Sequence, residues 1–159
     1  MADRDNPFRV TSERETMLDF LDYLRDGVVA KVVDLTTADA TRPAVASGTS
    51  LLGLVKHLTW VEEFWFSHVL RGLDDPLPAE ALGDGDDVLS VVSAYREAGA
   101  RSNAVVRAHD DLEVRCARSG VAPEPMTLRW VLVHMVEETA RHAGHADIIR
   151  EQFDGETGR

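Results

Sequence analysis

The final predicted helix of the chain carries a row of imidazole and carboxylate groups. His134, Glu138 and His142 follow one another at intervals of four residues, and His145 comes three residues later. Because an α-helix repeats every 3.6 residues, these side chains lie along one face. The same helix is rich in apolar residues, namely Trp130, Val131, Val133, Met135, Val136, Ile148 and Ile149. This composition predicts a helix that is packed against other elements rather than solvated on all sides.

The row has the composition of a divalent-metal site. Neutral imidazoles and a carboxylate together suit zinc, nickel or iron. Glu138 and His142 are about one helical turn apart, so both could bind one ion while the helix stays straight. A third ligand would then come from another element. A hydrogen-bonded pair of Glu138 and His142 without any metal is the alternative interpretation.

Three earlier segments show the same helical repeat. The four predicted helices cover residues 12–35, 50–70, 87–109 and 128–153. Ser12 with Glu15 has the pattern of a capping box, and Thr127 is the predicted cap of the last helix. Long loops join the helices, and no segment alternates like a strand. The chain is therefore predicted to be all-α, a four-helix bundle that forms one domain over residues 1–159, with flexible ends at 1–10 and 154–159.

The second helix supplies the predicted third ligand. Its apolar stripe consists of Leu54, Leu58, Val61 and Trp65 together with His57. Its polar side is predicted to carry Lys56, Glu62 and Glu63. Four-helix bundles build metal sites from side chains on facing helices. His57 is therefore predicted to join Glu138 and His142.

Other histidines and tryptophans have less specific interpretations. His134 is interpreted as a core residue, as a group that orients a ligand or carries a proton, or as an alternative ligand. His68 and His109 are expected at the surface or at the edge of a loop. Trp60 and Trp130 either wall a substrate pocket or pack in the core.

The charge of the chain argues against several kinds of partner. Asp and Glu number 28 and Lys and Arg number 17, which gives a formal net charge of −11. Because phosphates need a basic patch, nucleic acid is not an expected partner. No stretch approaches the roughly 18 apolar residues of a membrane span, and residues 1–20 lack the apolar core of a signal peptide. The single cysteine, Cys116, excludes an internal disulfide. These features predict a cytoplasmic protein.

Two stretches of the chain resemble a known superfamily. The stretch Leu54-Val55-Lys56-His57-Leu58 is similar to the second helix of DinB-like proteins. Residues 128–145 resemble the last helix of an actinobacterial branch of that superfamily, a domain of unknown function sometimes called mini-circle protein. The resemblance spans nearly the whole chain. It implies a four-helix bundle of the DinB-like type that holds a divalent metal.

The metal site of the superfamily implies particular ligands in this chain. In the superfamily, one histidine of the second helix and two histidines four residues apart on the last helix bind the ion. The first corresponds to His57 and the last to His142, while Glu138 occupies the middle position instead of a histidine. His145 stands where the superfamily commonly has glutamine. It is interpreted as a group that supports the ligands, an alternative ligand or a proton carrier.

Relatives in the superfamily imply a thiol-dependent reaction. They include metal-dependent thiol transferases and a maleylpyruvate isomerase, which use low-molecular-weight thiols such as mycothiol or bacillithiol. A metal with an open position lowers the pKa of a bound thiol and so supplies thiolate at neutral pH. The resemblance implies a metal-dependent thiol S-transferase or isomerase that acts on a small-molecule substrate and forms a homodimer.

A non-catalytic protein is the alternative interpretation. The same bundle could bind a small ligand or a partner protein, with a structural metal or none. A fourth coordination position filled by protein, for example by His145, would indicate this alternative, because catalytic sites keep one position open.

Overall fold

Five α-helices and one π-helix form the regular secondary structure of the described residues. The computed structural model describes residue 7 and residues 10–156. The helices are α1 (Glu13–Ala30), α2 (Thr37–Thr41), α3 (Leu51–Glu62), α4 (Val88–Arg107) and α5 (Leu128–Asp154), and α3 continues directly into a π-helix, π1 (Glu63–Leu70). These residues contain no strand, only an isolated bridge between Arg115 and Thr127. The predicted all-α fold is confirmed.

The longer helices pack in two pairs. α1 lies along α5, α4 lies along α3, and α3 also contacts α5. Two hydrophobic clusters fill the interior. Members of the first include Trp65, Phe66, Leu128, Leu132 and Met135. Members of the second include Leu52, Leu58, Tyr95 and Ile149. The contact between α3 and α5 is the one that the predicted metal site requires. Across the described residues, no helix has both the length and the apolar character needed to cross a membrane.

All five α-helices have a side-chain cap, in which an oxygen atom accepts a hydrogen bond from the backbone N–H three residues later. Thr36 caps α2. The capping residues of the four longer helices are Ser12, Ser50, Asp87 and Thr127. They agree with the predicted helix starts. The predicted capping box of α1 is only half formed, because the Glu15 carboxylate binds Arg107 at 3.0 Å. A reciprocal box forms instead between Asp87 and Ser90 of α4.

The first helix is shorter than predicted, and the loop after it contains α2. α1 ends at Ala30, and the N–H groups of Lys31 and Val32 donate to carbonyl oxygens three residues earlier, both at 3.1 Å. The apolar repeat nevertheless continues through this turn because Val32 is buried. This explains why the predicted helix was too long. α2 begins after the cap Thr36 and has only five residues, too few to show a periodic pattern.

Glu62 is buried, so its predicted place on the polar side of the second helix was wrong. Its side chain is 1% exposed. It accepts two hydrogen bonds from the guanidinium of Arg25, at 2.7 and 2.8 Å. Arg25 lies on α1 and also donates to Asp22 and Asn103. The pattern of one helix could not show that a cationic partner on another helix would allow this carboxylate to be buried.

The predicted flexible ends are described only in part. Residues 1–6, 8, 9 and 157–159 lie outside the described residues. Near the carboxyl end, Asp154 is still part of α5 and accepts a hydrogen bond from Arg150 at 2.7 Å. Glu156 also pairs with Arg150, at 2.8 Å. The side chains of Asp154 and Glu156 therefore both bind Arg150 of α5.

Candidate metal centre

The three predicted ligands meet where α3 contacts α5. Nε2 of His142 lies 2.9 Å from Oε1 of Glu138. Nε2 of His57 lies 3.5 Å from the same oxygen. One ligand atom from each residue lies within 4.8 Å of the other two, and among the described residues this is the group of histidine and acidic side chains that could hold a metal ion. The two helices therefore bring together donors that are 81 residues apart in sequence, from position 57 to position 138.

Glu138 has its two oxygen atoms in different surroundings. The residue is 7% exposed. Its Oε1 faces His57 and His142, whereas its Oε2 contacts the guanidinium of Arg141, three residues later on α5. Because Arg141 engages one oxygen, the carboxylate presents the other one to the two imidazoles.

His142 is neutral at neutral pH. Burial, followed by the neighbouring His57, His145 and Arg141, lowers its pKa to about 4. Its Nδ1 atom is buried and has no hydrogen-bond partner among the described residues. A neutral imidazole is the form that binds a metal. His142 therefore has the protonation state that a ligand needs.

His57 is held by carboxylates on both sides of its ring. Its Nδ1 lies 2.9 Å from Oε1 of Glu80, which belongs to the loop between π1 and α4. Its Nε2 faces Glu138 at 3.5 Å. A neutral imidazole has only one N–H group. If Nδ1 donates to Glu80, the lone pair of Nε2 points towards a carboxylate oxygen, and a cation between the two would make this contact favourable.

The donor set and its spacing fit a divalent ion. Zinc binds imidazole nitrogen and carboxylate oxygen at about 2.0–2.2 Å, so tetrahedral ligand atoms lie about 3.4 Å apart. The two separations at Glu138 are 2.9 and 3.5 Å. Nickel and iron accept the same donors. All three donor atoms lie within 4.8 Å of one another, so small side-chain rotations would bring them to one of these ions.

A cavity of about 680 Å³ opens beside the two histidines. Its lining includes four residues with hydroxyl groups, Thr41, Ser47, Thr49 and Ser50. The rest of the described lining consists of Gly48, Gly53, Leu54, Glu80, Ala81 and Leu82 together with His57 and His142. This lining contains one carboxylate and no lysine or arginine. The cavity is large enough for a small-molecule ligand.

The two tryptophans predicted as pocket walls do not line this cavity. Trp60 lies against the site, with its ring centroid 6.5 Å from that of His57, and stacks on Phe64 at 4.9 Å. Trp130 is 43% exposed near the start of α5 and stacks on His134 at 5.0 Å.

The other histidines differ in their distance from the three ligands. His145 is exposed, and its ring centroid lies 5.5 Å from that of His142. His134 contacts Trp130, Trp65 and Glu137, at 3.8 Å in the last case. Burial lowers the pKa of His134. Of the two histidines, His145 is therefore the nearer to the three predicted ligands.

Sequence reasoning missed Glu80. It lies 23 residues after His57 in a loop without a repeating pattern. No helical spacing connects the two positions, so only the folded chain brings them together.

Comparison with known proteins identifies the family. The family model of the mycothiol-S-transferases matches residues 16–155. A conserved protein from Enterococcus faecalis has a similar crystal structure, with a TM-score of 0.59 and 16% identity over 92% of this chain and 100% of that chain. The crystal structure of a DinB-like protein from Bacillus cereus is also similar, with a TM-score of 0.61 and 15% identity over 87% of this chain and 91% of that chain. No curated protein matches in sequence. The chain belongs to the mycothiol-S-transferase family, within the DinB-like superfamily.

Proposed function

We propose that the protein is a divalent-metal-dependent thiol S-transferase that uses a low-molecular-weight thiol such as mycothiol. The observation that carries the proposal is the convergence of His57, Glu138 and His142 beside the hydroxyl-lined cavity. Family membership supports a thiol as the small-molecule substrate. Three protein ligands leave a coordination position for it, as in catalytic zinc sites.

The residues of the chain have separate tasks in this reaction. The bound metal would lower the pKa of the thiol and so supply thiolate at neutral pH. Arg141 holds one oxygen of Glu138 and leaves the other for the ion. The hydroxyl groups of the cavity wall bind polar groups of the thiol. His145, exposed beside His142, accepts the proton that the thiol loses and passes it to solvent.

The thiolate then forms the new bond. Its sulfur attacks an electrophilic carbon of the acceptor, and the electron pair of the broken bond leaves with the departing group. An isomerase would use the same thiolate, which adds to a conjugated double bond and is expelled again after bond rotation. A cytoplasmic location would keep the thiol reduced.

Metal analysis of untagged protein, purified without chelator, tests the proposal. We expect about one divalent ion per chain, because the site has three ligands. His142→Ala removes one of the two ligands on α5 and should lose the ion while keeping its helical circular dichroism spectrum. His109→Ala, just beyond the end of α4, is the matched control and should keep the ion.

Activity is measured next, as mycothiol transfer to an electrophilic bimane. Wild type and His109→Ala should be active. The transfer activity of His142→Ala should be lower by at least about 100-fold, because the metal no longer supplies the thiolate. Wild-type protein that contains no metal, even after soaking with zinc, nickel and iron, would contradict the proposal.

A non-catalytic binding protein with a structural metal is the second candidate. The observation that favours it is the position of His145, whose ring is close to that of His142 and could close the fourth position of the ion. Cobalt-substituted protein separates the two candidates. Added thiol should change the cobalt absorption spectrum if a position is open, and an unchanged spectrum would favour the second candidate.

A further inference from the structure

We infer that Glu80 is a positioning residue of the metal site, which fixes the ring of His57 so that Nε2 points to the ion. The inference rests on the proposed function, because it concerns the same site. It assigns a role to the loop between π1 and α4. From the sequence, no residue of the metal site was predicted in this loop.

The contact itself has the geometry of a supporting hydrogen bond. Oε1 of Glu80 lies 2.9 Å from Nδ1 of His57, and Nε2 of the same ring faces Oε1 of Glu138. Nδ1 of His57 therefore contacts the loop, and Nε2 faces the predicted metal ligand Glu138. Metal-binding histidines commonly donate their second N–H to a carboxylate, which sets the tautomer and the ring orientation.

The loop is attached to the helix that carries His57. Asp86 accepts a hydrogen bond from Lys56 at 2.8 Å and another from the backbone N–H of Gly83, also at 2.8 Å. Leu82 packs against the second hydrophobic cluster. A Cβ atom at Gly53 would lie 3.9 Å from Cδ1 of Leu82, so the loop approaches α3 closely there. These contacts, to α3 residues that precede His57, hold the segment from 80 to 86 on α3.

The attachment explains why Glu80 can select one state of His57. Without an acceptor at Nδ1, the imidazole can carry its proton on either nitrogen, and the ring can rotate. With Glu80 in place, the proton lies on Nδ1 and the lone pair of Nε2 is directed at the ion. The carboxylate also makes that nitrogen a stronger donor.

Zinc affinity of the whole protein provides the first test. Glu80→Ala should weaken zinc binding by about 10- to 100-fold, as measured by competition with a chromophoric chelator. Asp84→Ala is the matched control, because Asp84 is an exposed acid of the same loop with no hydrogen bond or ion pair in the described structure. The control should bind zinc within about 2-fold of wild type.

The tautomer of His57 provides a second readout that a purely structural role would not change. In metal-free protein, long-range ¹H–¹⁵N spectra should show the Nδ1–H form in wild type and a mixture in Glu80→Ala. Glu80→Gln keeps an acceptor oxygen, so it should retain the tautomer and recover part of the lost affinity.

The two proposals fail in different ways. Wild-type protein that takes up no ion would overturn the proposed function and this inference with it. Wild-type protein that binds zinc, while Glu80→Ala binds it equally well with an unchanged His57 tautomer, would overturn the role of Glu80 alone.

Discussion

Burial makes protonation of His142 unfavourable in the folded protein. Its folded pKa of about 4 is below the ordinary pKa of 6.5 of an exposed imidazole. The unfolded chain therefore binds a proton at a higher pH than the folded chain does. The resulting contribution to stability is fully present above about pH 6.5 and is lost as the pH falls towards 4.

We expect a measurable pH effect on the metal-free protein. When the pH falls from about 7.5 to about 5, protonation of this residue in the unfolded chain should lower the free energy of unfolding by roughly 2 kcal/mol. Urea unfolding of wild type and His142→Gln at both pH values, with chelator present, gives the difference. His109→Gln should behave like wild type. Equal pH dependence in all three proteins would contradict the lowered pKa.

Single residues of the site could be predicted where a helix fixes their spacing. Glu138 and His142 are four apart on one helix, and His57 lies on an apolar stripe, so periodicity was sufficient to place them. Glu80 could not be found in this way, because a loop has no repeat. Glu62 was misplaced for a related reason, since its partner lies on another helix.

At the scale of elements, α1, α3 and α4 meet at the buried pair of Arg25 and Glu62. Arg25 is 7% exposed and binds both oxygens of Glu62. A Cβ atom at Gly99 of α4 would lie 3.2 Å from Nε of Arg25, so α4 approaches the guanidinium directly. The pair therefore fixes how three helices come together.

Removal of one partner of this pair should strongly destabilise the folded protein. Glu62→Ala should lower the free energy of unfolding by about 3–5 kcal/mol, because the guanidinium loses its buried counter-charge. Glu63→Ala is the neighbouring control and should lose under about 1 kcal/mol, since its partner Arg101 is exposed. Urea unfolding measures both values. Similar losses in the two variants would count against this account of the pair.

Element boundaries were predictable where a capping residue marks them. Ser50, Asp87 and Thr127 gave the starts of α3, α4 and α5. The end of α1 had no such signal, because Val32 continues the apolar pattern through a turn. The π-helical geometry of π1 was not predicted, since its residues read as a continuation of α3.

At the scale of the whole molecule, a bound ion would link the two helix pairs. His57 lies on α3, which packs along α4, whereas Glu138 and His142 lie on α5, which packs along α1. Metal binding should therefore oppose separation of the two helix pairs.

The homodimer implied by the superfamily stays a prediction.

Zinc should raise the thermal stability of the protein. At about 100 times Kd, the gain in the free energy of unfolding is about 2.7 kcal/mol. For a chain of this size, this corresponds to roughly 5–10 °C in Tm. Differential scanning calorimetry with zinc and with chelator measures the shift. His57→Ala should show little change, and an equal rise in that variant would mean that zinc binds elsewhere.

The wall of the cavity also has a consequence for inhibitor design. Its described lining offers hydroxyl groups and a single carboxylate, and it has no lysine or arginine to neutralise an anion. A phosphate or carboxylate group placed against this wall, away from the ion, would meet no cationic side chain to replace its hydration. Neutral compounds rich in hydroxyl and amide groups, with a soft metal-binding atom at one end, are therefore the scaffolds that suit this pocket.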